Sequence, residues 1–275
     1  MPVGRLLTLF SIPKPFAGPI GTIQWNALRS WCALPDVQVV LVGDEAGVAA
    51  AAHEVGVEHV GGIAVSEYGT PLLDDAFARV ESIARKPLRC FVNADIVFGE
   101  DLPAATRRVA NTASAFLLVG ETIDVAAPEP ADPETLARRA RAEGRSRGAT
   151  AIDYFVFTPG LFDPIPPFAV GRARFDNWLV WRARQRAKVV DATSAVLAVH
   201  QRHDYAHIAG GQDEAHFGVE AARNLALAGG KRRLYTIHDA SHRLDASLRL
   251  RRNLGAAFRL RENARKAAWK LRDRR

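Results

Sequence analysis

An α/β fold, built on a parallel or mixed sheet with crossover helices, follows from three features of this chain. Short apolar runs alternate with helical patterns along most of its length. Those runs stop at polar residues suited to strand ends, and 275 residues are enough to bury a substantial core. The expected organisation is one large domain over residues 1–230, followed by a basic helical extension over 231–275.

The first strand is Leu6-Leu7-Thr8-Leu9-Phe10-Ser11, and residues 20–34 form the first helix, with Ile23, Ala27, Ser30 and Trp31 on one face. Residues 37–42 make a second strand that stops at Gly43-Asp44-Glu45. A helix over 47–55 and a short strand at Glu58-His59-Val60 follow. Thr70 or Asp74 starts a helix through Phe77, Val80 and Ile83, which Lys86-Pro87 ends. The next strand, Leu88-Arg89-Cys90-Phe91-Val92, closes on Asn93-Ala94-Asp95 before Ile96-Val97-Phe98. A helix near 103–113 then leads to the strand Ala115 to Gly120.

Beyond it the alternation breaks. Residues 121–150 contain Pro128, Pro130 and Pro133, a helix capped at Asp132, and the Gly- and Arg-rich run 143–148. Such an insertion reads either as a lid over a site or as a solvated connector. The buried strand 151–157 carries one acid, Asp153, which is costly there unless paired or placed at a site. Residues 176–187 form a helix opened by Asp176. The last strand of the body, 195–199, runs into His200-Gln201-Arg202-His203-Asp204-Tyr205-Ala206-His207.

The net charge of +7 belongs to the tail. Residues 243–275 hold twelve Arg or Lys against three acids, so that segment carries +9 and the remainder −2. The body has no basic surplus with which to track a phosphate backbone, which argues against a nucleic-acid partner. No run of about 18 apolar residues occurs, and the N-terminus leads into a strand rather than a signal peptide, so a cytoplasmic location is expected. Cys32 and Cys90 read as reduced core residues.

Several residues carry chemistry. In open α/β sheets ligands bind beyond the carboxyl ends of the strands, where a carboxylate such as Asp95 holds a divalent cation against a diphosphate. Asp176 is either an N-cap or a general base held at a helix start. His200 stands where a strand exits and suits a metal or phosphate role. His203 and His207 read as ordinary loop residues, and three histidines without a cysteine partner give a weak zinc signal. Phe168, Trp178 and Trp181 are either core residues or a sugar-stacking surface.

In their order along the chain, the strand ending in Asn93-Ala94-Asp95, Asp176 before Asn177-Trp178, and His200 at a later strand end resemble the A-type nucleotide-diphospho-sugar glycosyltransferases (the GT-A fold). The stretches 11–16, 23–27 and 69–72 also resemble a bacterial and plant group of that superfamily. The likeness spans about residues 5–230.

It implies a single GT-A-like, Rossmann-like mixed sheet flanked by helices, and an enzyme that glycosylates a hydroxyl acceptor from a nucleotide-diphosphate sugar with Mn or Mg. Asp95 and His200 are then the metal ligands, with Asn93 in the first polar position of the motif, where Asp is commoner. Ser11, Pro13 and Lys14 form the first nucleotide-facing loop and Asp44 contacts the base. Arg172 or Lys14 supports the departing diphosphate, and Asp176, preceded by Phe175 rather than the usual Glu, is the base. Deprotonation from the face opposite the leaving group would invert the anomeric centre.

A nucleotidyltransferase would share a metal-bound diphosphate, but the glycine-rich Arg-Lys loop expected after its first strand is absent. A non-catalytic nucleotide-sugar binder is favoured by Asn93 and by Phe175. The tail from 244 to 271 has the stripe of a basic amphipathic helix, either packed on its own domain or lying on the anionic inner face of a membrane as a peripheral contact.

Overall fold

The computed structural model describes residues 6–126, 129–203, 211–255, 258, 260, 261 and 264. Thirteen strands are assigned among them: β1 (Leu7–Ser11), β2 (Val37–Val42), β3 (Glu58–Val60), β4 (Leu88–Val92), β5 (Ile96–Val97), β6 (Phe116–Val119), β7 (Thr122–Ala126), β8 (Arg145–Ser146), β9 (Tyr154–Phe157), β10 (Lys188–Asp191), β11 (Ala198–Arg202), β12 (His242–Leu244) and β13 (Leu250–Arg252). The helices are α1 (Gly18–Cys32), α2 (Val48–Val55), α3 (Leu73–Ile83), α4 (Asp101–Ala110), α5 (Pro133–Glu143), α6 (Phe175–Arg184), α7 (Gly211–Phe217) and α8 (Val219–Leu227).

Nine strands form the main sheet in the order β13-β12-β10-β6-β9-β4-β1-β2-β3. The pairs among β1, β2, β3 and β4 are parallel, whereas β9 runs antiparallel between β4 and β6, so the sheet is mixed as expected. Its strands β1, β2, β4, β6 and β9 are buried on both faces, which is why they read as continuous apolar runs. Leu7, Leu9, Leu88 and Cys90 pack with Ala27 and Trp31 of α1 on one side; Phe10, Val40 and Phe91 pack with Phe77 of α3 and Leu179 of α6 on the other. Even Thr8 is interior, its hydroxyl donating to Gln38 Oε1 on the neighbouring strand at 2.8 Å.

Residues 121–150 differ from both expectations for them. Within this stretch β7, α5 and β8 build part of a second sheet, ordered β5-β11-β7-β8, and Leu136 and Ala140 of α5 are buried against the body. The expected cap of α5 is present: Asp132 accepts from the Thr135 N–H at 2.8 Å, with Pro133 in the first turn.

The strand expected at 195–199 begins later. Ala195 and Val196 both donate backbone N–H groups to Ala192 O, a turn that delays β11 to Ala198 and places His200 inside the strand rather than at its exit. β10 has no counterpart among the predicted strands, because only Val189 and Val190 lie between its charged ends.

The tail helix does not begin at Leu244. The Asp245 carboxylate accepts from the Ser247 and Arg249 N–H groups at 3.0 and 2.9 Å, making a turn that folds β13 back on β12, and the main sheet therefore continues past residue 230. Arg261 reaches back to Asp239 at 3.1 Å, and Arg184 lies over the Phe258 ring. Of the predicted tail stripe, Ala257, Ala268 and Leu271 lie outside the described residues, as does His207. Cys90 is buried, but Cys32 is exposed, since the last turn of α1 turns that side chain away from the sheet.

Candidate active site

Asp95 sits at the junction of the two sheets. β4 belongs to the main sheet and β5 to the second, so Asn93-Ala94-Asp95 is the link between them. Across from that link, β11 pairs with both β5 and β7, setting His200 opposite Ile96 on one side and opposite Asp124 on the other.

The geometry converges on one oxygen. His200 Nε2 lies 3.3 Å and His203 Nε2 2.9 Å from Asp95 Oδ2, while Asp95 Oδ1 is buried without a hydrogen-bond partner. Burial alone would raise the Asp95 carboxyl, but the two imidazoles outweigh it and hold that group well below the ordinary carboxylate range. For His200, burial lowers the imidazole and the Asp95 charge more than restores it, so the net direction is upward. One carboxylate and two imidazoles, with ligand atoms within 4.8 Å of one another and an orphaned buried oxygen among them, suit a divalent cation.

His200 is also held from behind. Its Nδ1 is 2.7 Å from Asp124 Oδ1, and the other oxygen of Asp124 accepts from Arg202 Nε at 2.6 Å. A carboxylate gripping the distal ring nitrogen fixes the tautomer and points the second nitrogen at the site. Sequence reasoning missed Asp124, whose only signal was its place one strand away in a segment read as insertion; it also read His203 as an ordinary loop residue.

Asn93 faces the other way. Its amide donates to Asp153 Oδ1 at 2.9 Å, and its backbone N–H donates to Asp153 O at 2.9 Å. Thr122 Oγ1 and Arg147 Nη1 complete the network, donating to Asp153 Oδ2 at 2.7 and 2.5 Å. The buried acid in β9's approach is thus paired three times over, which satisfies the cost its sequence position implied. Arg147 comes from the Gly- and Arg-rich run after α5.

Asp153 lies within electrostatic reach of both His200 and Asp176. Burial, reinforced by the Asp153 charge and only partly offset by the Asn177 and Arg174 N–H groups, raises the Asp176 carboxyl to about 6. Asp176 is not an N-cap: Arg174 occupies that position, no side chain caps α6, and Asp176 lies in the first turn with Oδ1 buried and unpaired. Arg174 itself has φ 97°, a left-handed conformation costly for a side chain of this size, and the preceding Ala173 N–H donates to Ala215 O at 3.0 Å.

Lys14 follows β1 in a loop pinned to α1, where Gln24 exchanges hydrogen bonds with the Lys14 N–H and carbonyl at 2.8 and 2.9 Å. Burial lowers its ammonium, Asp95 offsets part of that, and nearby Arg172 adds repulsion, so Lys14 stands within electrostatic reach of both Asp95 and Arg172. Arg172 Nε is 3.0 Å from Glu220 Oε2, a buried acid that also accepts from Ser66 and Thr70 hydroxyls. Ser11 ends β1 with its hydroxyl buried and unpaired, and Pro13 is buried beside it. Asp44, beyond the adjacent β2, is exposed, and its Oδ2 accepts from the Gly62 N–H at 2.7 Å. Phe168 and Trp178 pack against each other at 5.3 Å in the core, so neither offers a face to a sugar.

A mixed sheet with an antiparallel strand beside β4, and a short second sheet across its carboxyl edge, is the GT-A-like, Rossmann-like architecture expected from the sequence. The solved structures bear this out. The chain is similar to residues 1–349 of S. aureus TarS in complex with UDP-GlcNAc, at 13% identity and a TM-score of 0.50, over 72% of this chain and 59% of that one. It is similar also to glucosyl-3-phosphoglycerate synthase from Mycobacterium tuberculosis in complex with Mn2+, UDP and phosphoglyceric acid, at 10% identity and a TM-score of 0.50, over 83% of this chain and 80% of that one. No family model and no curated protein matches the chain.

Proposed function

We propose that this protein is a metal-dependent glycosyltransferase that moves a sugar from a nucleoside diphosphate to a hydroxyl acceptor. The observation that carries the reading is Asp95, set at the carboxyl edge of β4 with two imidazoles on one oxygen and nothing on the other. The TarS structure holds UDP-GlcNAc and the mycobacterial synthase holds Mn2+ with UDP, which supports a nucleotide sugar and a cation for this fold.

Asp95 and His200 would hold the cation, which when bound neutralises charge on the departing diphosphate. Lys14, desolvated beside Asp95, adds a fixed positive charge at the same place, and Arg172 stands close to it. The loop carrying Ser11, Pro13 and Lys14 and the turn carrying Asp44 frame the nucleotide at the edge of β1 and β2. Asp176 takes the acceptor proton while the acceptor oxygen bonds to the anomeric carbon; the sugar–phosphate bond breaks and its electron pair leaves on the diphosphate. A carboxyl raised to about 6 is a stronger base at neutral pH than an ordinary aspartate and is still mostly ionised there.

A thermal-shift panel of nucleoside diphosphates and nucleotide sugars, with and without Mn2+, tests this. At least one uridine or guanosine diphosphate is expected to raise Tm in wild type only when Mn2+ is present, and Asp95→Ala is expected to lose that increment. If no nucleotide stabilises wild type, the reading fails. For the tail, exposed Leu254 and Leu260 among arginines support peripheral contact with an anionic bilayer. Full-length protein should then float with vesicles containing phosphatidylserine and a chain ending at Arg252 should not; equal flotation removes the contact.

A further inference from the structure

Glu220, 3% exposed, is a buried acid that none of the steps above uses. We propose that it is a positioning residue: from α8 it holds the Arg172 guanidinium in place for the diphosphate of the donor, so that a fixed cation meets the leaving group. The inference rests on the glycosyltransferase reading for the identity of that anion, and it adds a residue and a role which that reading does not contain.

The carboxylate is itself anchored on both oxygens. Its Oε1 accepts from the Ser66 hydroxyl at 2.5 Å and its Oε2 from the Thr70 hydroxyl at 2.7 Å. Those hydroxyls come from a short loop closed by the bridge between Val65 and Pro71, and the bridge between Leu72 and Ala169 joins it to the segment that carries Arg172. Arg172 Nε lies 3.0 Å from Glu220 Oε2, and Arg172 Nη2 donates to Thr70 Oγ1 at 3.4 Å. The same helix grips the backbone. Asn224, four residues on from Glu220 and therefore on the same face of α8, donates from Nδ2 to the carbonyls of Ala169 and Arg172 at 3.0 and 3.3 Å and accepts from the Ala169 N–H at 2.9 Å.

One nitrogen of the fork is left over. Nε and Nη2 are engaged with Glu220 and Thr70, and Nη1 makes no hydrogen bond among the described residues. Arg172 is also within electrostatic reach of Lys14, which is within reach of Asp95. Two cations at one place repel, and a carboxylate paired to one of them offsets that repulsion until an anion arrives. Ser66 and Thr70 alone already tie their loop to α8, so the ion pair to Arg172 adds orientation of the guanidinium rather than closure of the loop. A planar guanidinium can give one edge to a carboxylate and another to a phosphate oxygen, which a single ammonium cannot do.

The test is a double-mutant cycle on the full-length protein, read as kcat for sugar transfer with Mn2+ and as affinity for inorganic pyrophosphate with Mn2+ by calorimetry. R172A is expected to lower kcat by about 10²-fold and E220Q by about tenfold, with acceptor KM changing less than about twofold in both. In the R172A background E220Q should cost less than about twofold, because the residue through which Glu220 acts is gone. R172K should fall to within about threefold of R172A. Pyrophosphate affinity should show the same non-additivity.

An E220Q loss as large without Arg172 as with it would overturn the proposal and assign Glu220 to loop packing alone, as would R172K with wild-type kcat. If a collapsed Tm shows that E220Q does not fold, T70V takes its place in the cycle: it removes the hydroxyl that holds Glu220 Oε2 and should cost about threefold in wild type and nothing further in R172A. Pyrophosphate keeps the two readings separable. A wild type that binds it but transfers no sugar sinks the glycosyltransferase and leaves the cycle to be decided by affinity; a wild type that binds no pyrophosphate overturns the role of Glu220.

Discussion

Asp95→Asn is expected to reduce turnover at saturating Mn2+ by about 10³-fold, the kinetic equivalent of several kcal/mol of lost charge stabilisation. The substitution keeps the size and both polar atoms of the side chain, so the links from β4 into β5 persist. What it removes is the single formal negative charge that draws His200, His203 and Lys14 together. Without it His200 loses the interaction that raises its imidazole, and burial drives the ring toward neutrality. Two imidazoles and an amide still offer donors, but no negative charge to offset desolvation of a divalent ion. The checks are steady-state transfer from a nucleotide sugar and Mn2+ titration of the same variant. Turnover within tenfold of wild type would remove Asp95 from the metal site.

Asp95 was also the part of the site most legible in the sequence, because its signal is local: five buried residues of a strand followed by Asn93-Ala94-Asp95, which carries two short polar side chains. The strands β1, β2, β4, β6 and β9 of the main sheet were legible for the same reason, being interior on both faces. The features that were missed depend on partners far along the chain. Asp124 stands beside His200 only because β7 and β11 pair in parallel, a register that joins residues 76 positions apart. His203 gains its meaning from Asp95, 108 positions earlier. The boundary of the tail failed through a different cause: Leu250, Leu254 and Phe258 suit a helix stripe, but the Asp245 carboxylate caps a turn and hydrogen bonding won over periodicity ahead of it. Asn93 reads in sequence as a weakened metal ligand; in three dimensions it is the clasp on Asp153, which links His200 electrostatically to Asp176.

Asp176→Asn is expected to separate binding from chemistry. An amide cannot take the acceptor proton, so turnover should fall by about 10²–10⁴-fold while donor affinity stays within about twofold of wild type. In wild type the rate should climb as pH rises through about 6, where the carboxyl loses its proton, and level off above. The same elevation makes a second, independent prediction with the opposite sign. The folded protein holds that proton more tightly than the unfolded chain does, so between an unfolded value near 3.8 and a folded value of about 6 the native state binds more protons, and stability falls as pH rises. The cost of ionising Asp176 is then fully present above about pH 6 and absent below 3.8. It amounts to at most about 3 kcal/mol. Asp176→Asn, which never ionises, should therefore melt higher than wild type at pH 8 and match it near pH 4. A variant that loses turnover and gains Tm only on the alkaline side identifies a charge kept for the reaction at the expense of the fold. A variant that loses Tm at both pH values instead assigns Asp176 to the structure of α6, and a catalytically unimpaired one removes Asp176 as the base and leaves that role to another group.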